Sequence, residues 1–161
     1  MILAPKEEFY YSLGETGLRL VKGSFLPQNL ATGQKAESFI IPTLLGSIIV
    51  FSRLCSDEEF EVLWSLQAVM GVHPSSCPLL GTSHELHRSL LSPTRGVLDG
   101  DLLQQLEQLS TAEQGQILER WKSRMLNSPE SIVVSPDLQP HAMTVETMLK
   151  LLEKVQRMCF N

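Results

Sequence analysis

The apolar pattern of this chain changes period between Arg53 and Ser56, which limits it to an architecture with strands first and helices after. Before the change, apolar residues fall in short runs broken by turn residues. Glu8–Leu13 and Leu18–Val21 flank Gly14-Glu15-Thr16-Gly17, and a third short run, Gly23-Ser24-Phe25-Leu26, stops at Pro27. Residues 31–37 are polar and read as an exposed loop. The strongest pair of strands is Ser38–Leu44 and Ser47–Leu54, joined across Leu45-Gly46 and rich in Ile, Val, Phe and Thr. Gly46 fits the third position of a type II turn, where φ is positive. Leu45 disfavours the primed hairpin turns, which would demand positive φ of it. Ile48-Ile49-Val50-Phe51 lacks alternation, which predicts a strand covered on both faces.

After the change, helix starts are written out in full. Ser56-Asp57-Glu58-Glu59 has the form of a capping box, in which the hydroxyl accepts from the Glu59 amide and the Glu59 carboxylate reaches back. Phe60, Leu63, Trp64, Leu66, Gln67 and Met70 follow at helical spacing, and Gly71 ends the helix. Residues 72–95 are punctuated by Pro74, Pro78, Gly81 and Pro93, with a short helical turn expected over Ser83–Leu91. Asp99 or Asp101 starts the next helix, which carries Leu102, Leu103, Leu106 and Leu109, and Gly100 is expected to permit a tight entry. Ser110 and Glu113 make a second capping box before Ile117, Leu118, Trp121 and Met125. Residues 127–141, with Pro129, Pro136 and Pro140, read as a loop or linker. Thr144 then caps a last helix whose stripe is Val145, Met148, Leu149, Leu152, Val155 and Met158.

Composition narrows the functional classes. Hydrophobic residues are 43% and charged residues 19% of the chain, a globular balance, while a mean hydropathy of +0.03 points to apolar surface meant to be covered. No apolar run approaches the roughly 20 residues of a membrane span, so no membrane partner is expected. Lys6, Glu7 and Glu8 so near the start do not suit a secretory signal. Three widely spaced cysteines, Cys55, Cys77 and Cys159, do not form a disulfide framework and suit a reducing nuclear or cytoplasmic compartment. Residues 1–53 have five basic and four acidic side chains, net +1, whereas residues 54–161 have eight and fourteen, net −6. That distribution offers no basic stripe for a phosphate backbone.

Candidate chemistry is thin. Cys77, His84 and His87, with His73 near, do not have the paired spacing of zinc ligands. His84-Glu85-Leu86-His87 is one residue short of the motif that puts two histidines on one helix face. Asp99-Gly100-Asp101 lacks the alternating acids and distal glutamate of a calcium loop, and reads as a cap. No metal, no cofactor and no catalytic residue is expected. Trp64 and Trp121 sit on apolar helix stripes and read as core, the functional alternative being a partner anchor.

One ordered set of stretches carries more than any single motif. It comprises Lys22-Gly23-Ser24-Phe25, Thr43-Leu44-Leu45-Gly46-Ser47-Ile48-Ile49-Val50-Phe51, and Val97-Leu98-Asp99-Gly100-Asp101-Leu102-Leu103. In that order it resembles the C-terminal region of the family containing the large damage-specific DNA-binding subunit and the A subunit of the cleavage and polyadenylation specificity factor. Val72-His73-Pro74 and Leu79-Leu80-Gly81 are similar to a plant branch of it. The resemblance covers about residues 20–160. It implies an α+β chain: residues 1–53 as terminal strands of a β-propeller blade, and residues 54–161 as a small C-terminal helical domain. It further implies a non-catalytic scaffold or adaptor in a nuclear multi-protein complex for DNA repair, ubiquitin ligation or pre-mRNA 3′-end processing. Partners would be other protein subunits, with nucleic acid bound directly or through them. Family members are many times longer, so the chain is expected to be a fragment, a truncated isoform or a partial gene product. Two other readings stand beside it: a direct nucleic-acid-binding module, and a small hydrolase using Cys77 with a histidine.

Overall fold

The computed structural model describes residues 11–23, 38–54, 56–74, 96–127 and 134–160, with residues 158–160 described by backbone alone. Among the described residues three short strands, β1 (Val21–Lys22), β2 (Ser38–Pro42) and β3 (Ile48–Ser52), form one antiparallel sheet in the order β1-β2-β3. Val21 pairs with Ile40, and Phe39, Ile40 and Ile41 pair with Phe51, Val50 and Ile49. Among the described residues four helices follow: α1 (Asp57–Met70), α2 (Gly100–Gln108), α3 (Thr111–Leu126) and α4 (Val145–Phe160). In the described part of the stretch expected to be loop, Pro136–Leu138 form a 3-10 turn. Ser24, Cys77, His84, His87 and the short helix expected over 83–91 lie outside the described residues, as does the run Glu8–Tyr10.

The hairpin corrects the expected turn. The Gly46 amide donates to the Thr43 carbonyl at 3.2 Å, which makes Leu44 and Leu45 the central residues and Gly46 the fourth. Gly46 takes φ +92 there, while both leucines keep negative φ. The loop is therefore three residues long, with a left-handed glycine closing it. A type II turn would have put the glycine one place earlier and left Thr43 without its pairing to the Ser47 carbonyl at 2.9 Å. Coverage on both faces of β3 is not achieved either: Ile48 is exposed, and Ile49, Val50 and Phe51 are half-buried.

The core lies among the helices. Val62, Leu63, Leu66 and Met70 of α1 are fully buried against Ile117 and Trp121 of α3, with Leu102, Leu103 and Leu106 of α2 and Met148, Leu151 and Leu152 of α4 closing around them. Leucine pairs such as Leu102-Leu103 widen the apolar stripe beyond a two-position seam, as a helix with neighbours on two sides requires. Val62, Val69 and Leu151 join this core although the expected stripes omitted them. Phe60 and Trp64 leave it: they sit half-buried and stacked on each other, ring centroids 5.8 Å apart at 17°. The sheet meets the helical core where β3 abuts α4.

Candidate functional site

Each helix start is held by its own side chain, with one departure from the expected pattern. Ser110 Oγ accepts from the Glu113 amide at 3.4 Å and the Glu113 carboxylate accepts from the Ser110 amide at 3.0 Å, a complete box. Ser56 Oγ accepts from the Glu59 amide at 3.3 Å, but the Glu59 carboxylate does not return to Ser56; it pairs with Lys154 of α4. A tertiary ion pair has taken the acid that the local pattern assigned to the cap. Thr144 exchanges bonds with Thr147, amide to hydroxyl in each direction, at 3.0 and 3.2 Å. That is a capping box closed by two hydroxyls.

Asp99 caps α2, Oδ1 accepting from the amides of Asp101 (3.0 Å) and Leu102 (3.3 Å). Asp101 is exposed and Leu98 is half-buried against the core. Gly100 does not supply the tight entry: its φ is negative, and the positive φ on the approach belongs to Gly96, at +76. Asp99 is only 4% exposed, and it does more than cap. Its Oδ2 accepts from the Tyr11 hydroxyl at 2.9 Å, and its amide donates to Gln67 Oε1 of α1 at 2.6 Å. The Tyr11 segment, α1 and α2 therefore converge on one residue, Asp99.

At the other end of the sheet an acid organises the hairpin tip. Glu15 accepts from Thr43 Oγ1 at 2.6 Å and from Ser47 Oγ at 2.9 Å, clamping both feet of the loop. The Gly17 segment runs alongside, its amide neighbour Leu18 donating to the Pro42 carbonyl and Leu44 donating to the Thr16 carbonyl, each at 2.9 Å. A Cβ on Gly17 would stand 2.9 Å from Ile41 Cγ2, so only glycine lets that segment lie so close. The result is a fixed tip that holds Leu44, Leu45 and Ile48 in solvent beside Leu18 and Leu20, Leu45 being 80% exposed. A cluster of large apolar side chains on a preorganised tip is the surface form that marks a protein contact. Leu45-Gly46 was singled out by sequence; Glu15, Leu18 and Leu20 were not, although two leucines in a turn are themselves an unusual signal. Gly23 continues the edge, its amide donating to the Ser38 carbonyl at 3.0 Å.

The remaining candidates divide. Trp121 is fully buried with Nε1 donating to the Val62 carbonyl at 3.2 Å, so it is a core side chain and no partner can reach it. Trp64 keeps an accessible ring surface. Burial, with the positive Arg120 nearby, holds His73 below the ordinary histidine range, Glu113 partly opposing the shift. Hydrogen bonds from the Ser135 hydroxyl and amide hold the half-buried Glu58 carboxyl below the ordinary carboxylate range. Among the described residues no group of three or more His, Cys, Asp and Glu side chains is placed to hold a metal ion, and no helix is long and apolar enough to cross a membrane.

The CPSF A subunit region family matches residues 6–108, a stretch that holds the antiparallel sheet, α1 and the Asp99 start of α2. The chain belongs to that family. Among its relatives, splicing factor 3B subunit 3 of Danio rerio is 30% identical over 109 residues, 68% of this chain and 8% of that protein. Splicing factor 3B subunit 3 of Drosophila melanogaster is 30% identical over 107 residues, 66% of this chain and again 8% of the relative. Pre-mRNA-splicing factor RSE1 of Candida albicans is 40% identical over 68 residues, 42% of this chain and 5% of that protein. The matched stretch is thus a small part of each relative's length.

Proposed function

We propose that this chain is a non-catalytic scaffold segment of a nuclear RNA-processing complex. The observation that carries this reading is the family match over residues 6–108, a span that crosses from the sheet into α2 and includes the Asp99 junction. Relatives named for pre-mRNA splicing favour RNA processing over the DNA-repair and ubiquitin-ligase branches. The finer architecture belongs to the same proposal: residues 1–53 as terminal strands of a propeller blade, residues 54–161 as the helical domain beside it. Half-covered faces on β3 and solvent-facing leucines at the tip suit strands that meet neighbours. Other protein subunits are the direct partners, and nucleic acid reaches the complex through them, since residues 54–161 are net −6. Affinity purification of the tagged full-length gene product from nuclear extract tests this. A stable multi-protein assembly is the expected result; a monomer recovered without partners overturns the reading.

A further inference from the structure

We infer that Tyr11 and Asp99 form an orientation lock between the sheet and the helices, a strap fastened by one shared carboxylate. Tyr11 touches both halves of the molecule. Its ring meets Phe51 of β3 edge-on, centroids 5.7 Å apart at 87°, and its hydroxyl reaches Asp99 at the start of α2. The two carboxylate oxygens have separate duties: Oδ1 caps α2, and Oδ2 receives the tyrosine. Gln67 Oε1 accepts from the Asp99 amide, so α1 fixes the backbone of the residue that the strap grips. The strap can therefore be undone by removing one hydroxyl, with the α2 cap and the Tyr11–Phe51 ring contact left in place. In this low-exposure setting a hydrogen bond to a charged acceptor is stronger than a neutral one. The lock stands on this geometry whatever complex the chain serves. Its effect is to set the direction in which the Leu44-Leu45 tip points relative to the helical core.

Native-state hydrogen exchange of the whole chain tests the lock with Tyr11→Phe, Asp99→Asn and the pair combined. Asparagine keeps a capping oxygen, so α2 survives the second change. Tyr11→Phe is expected to speed exchange in residues 12–22 about tenfold, the scale of one lost charge-assisted bond, and to leave residues 57–70 and 111–126 unchanged. Asp99→Asn is expected to speed the same segment, and the double variant to be no faster than the faster single one. Unchanged exchange of residues 12–22 in Tyr11→Phe overturns the lock. So do purely multiplicative effects in the double variant, and so does unprotected exchange of that segment in the wild-type chain.

Discussion

Replacing the two tryptophans in turn separates core from surface more sharply than any other pair of changes. Trp121 is fully buried against α1 and its indole N–H reaches the Val62 carbonyl at 3.2 Å, whereas Trp64 stacks on Phe60 at the margin of the core. Trp121→Ala deletes a whole buried ring and leaves a cavity between α1 and α3, a loss of about 3–5 kcal/mol. One further hydrogen bond, about 1 kcal/mol, goes with the ring and is already contained in that range. Trp64→Ala loses part of one face and a ring–ring contact, about 1–2 kcal/mol. Against a total stability on the order of 5–15 kcal/mol, the first change alone removes from about a fifth of it to nearly all of it. With a urea slope near ~2 kcal/mol per molar, its midpoint falls by about 2 M and that of Trp64→Ala by less than about 1 M. Helical circular dichroism gives both midpoints, and the fluorescence of the surviving tryptophan checks each transition independently. A Trp64→Ala loss equal to or greater than that of Trp121→Ala would refute the assignment of the core.

Other consequences are as direct. Ser110→Ala breaks the complete capping box and should cost about 1 kcal/mol, while Glu113→Gln, which keeps an acceptor, should cost under about half of that; urea titration resolves the two. Gly46→Ala forces a side chain to φ +92 and should cost about 1–2 kcal/mol confined to the hairpin, seen as faster exchange in residues 38–52 with an unchanged helical melt. His73 is held below its ordinary range, so the unfolded chain takes up a proton before the folded one does. Stability should fall as pH drops through about 6.5 and level off once the folded histidine is also protonated; His73→Gln should lack that decline in thermal melts across pH. Leu45→Asp, at a solvent-facing position, should change stability by under about 0.5 kcal/mol yet reduce recovery of partner subunits with the full-length product.

What could be read in advance was local. Ser110 and Glu113 are three residues apart, and Asp99 is two and three residues from the amides it caps, so their geometry follows from a single helical turn. Ser56 and Glu59 have the same spacing, and there the local rule delivered only half of its bonds. Lys154, 95 residues away, is the better partner for Glu59, and nothing in a four-residue motif contains that competitor. The same limit applies at Asp99: its cap was legible, whereas Tyr11 and Gln67 come from 88 and 32 residues away. Gly46 announced a positive φ but not its place in the turn, because two- and three-residue loops share the same glycine signal. The unbroken run Ile48–Phe51 called for cover on both faces, and the described residues leave it half-exposed. An apolar run states a need for neighbours without stating which chain supplies them. At the hairpin tip, the clamp of Glu15 on Thr43 and Ser47 was hidden for a simpler reason: Gly14-Glu15-Thr16-Gly17 reads as turn chemistry and does not show which distant side chains its acid will meet.

The clamp acquires another significance during synthesis. Tyr11 leaves the ribosome 88 residues before Asp99, an interval of roughly 4–18 s at ordinary elongation rates. From the completion of β3 at Ser52 until Asp99 is added, the sheet lacks that anchor and its leucines face a crowded cell. Glu15 reaches both Thr43 and Ser47 within 32 residues, so the hairpin can hold its register on bonds already synthesised. The acid at the tip is thus available as soon as the hairpin is made, and the carboxylate at the helix start joins it only later.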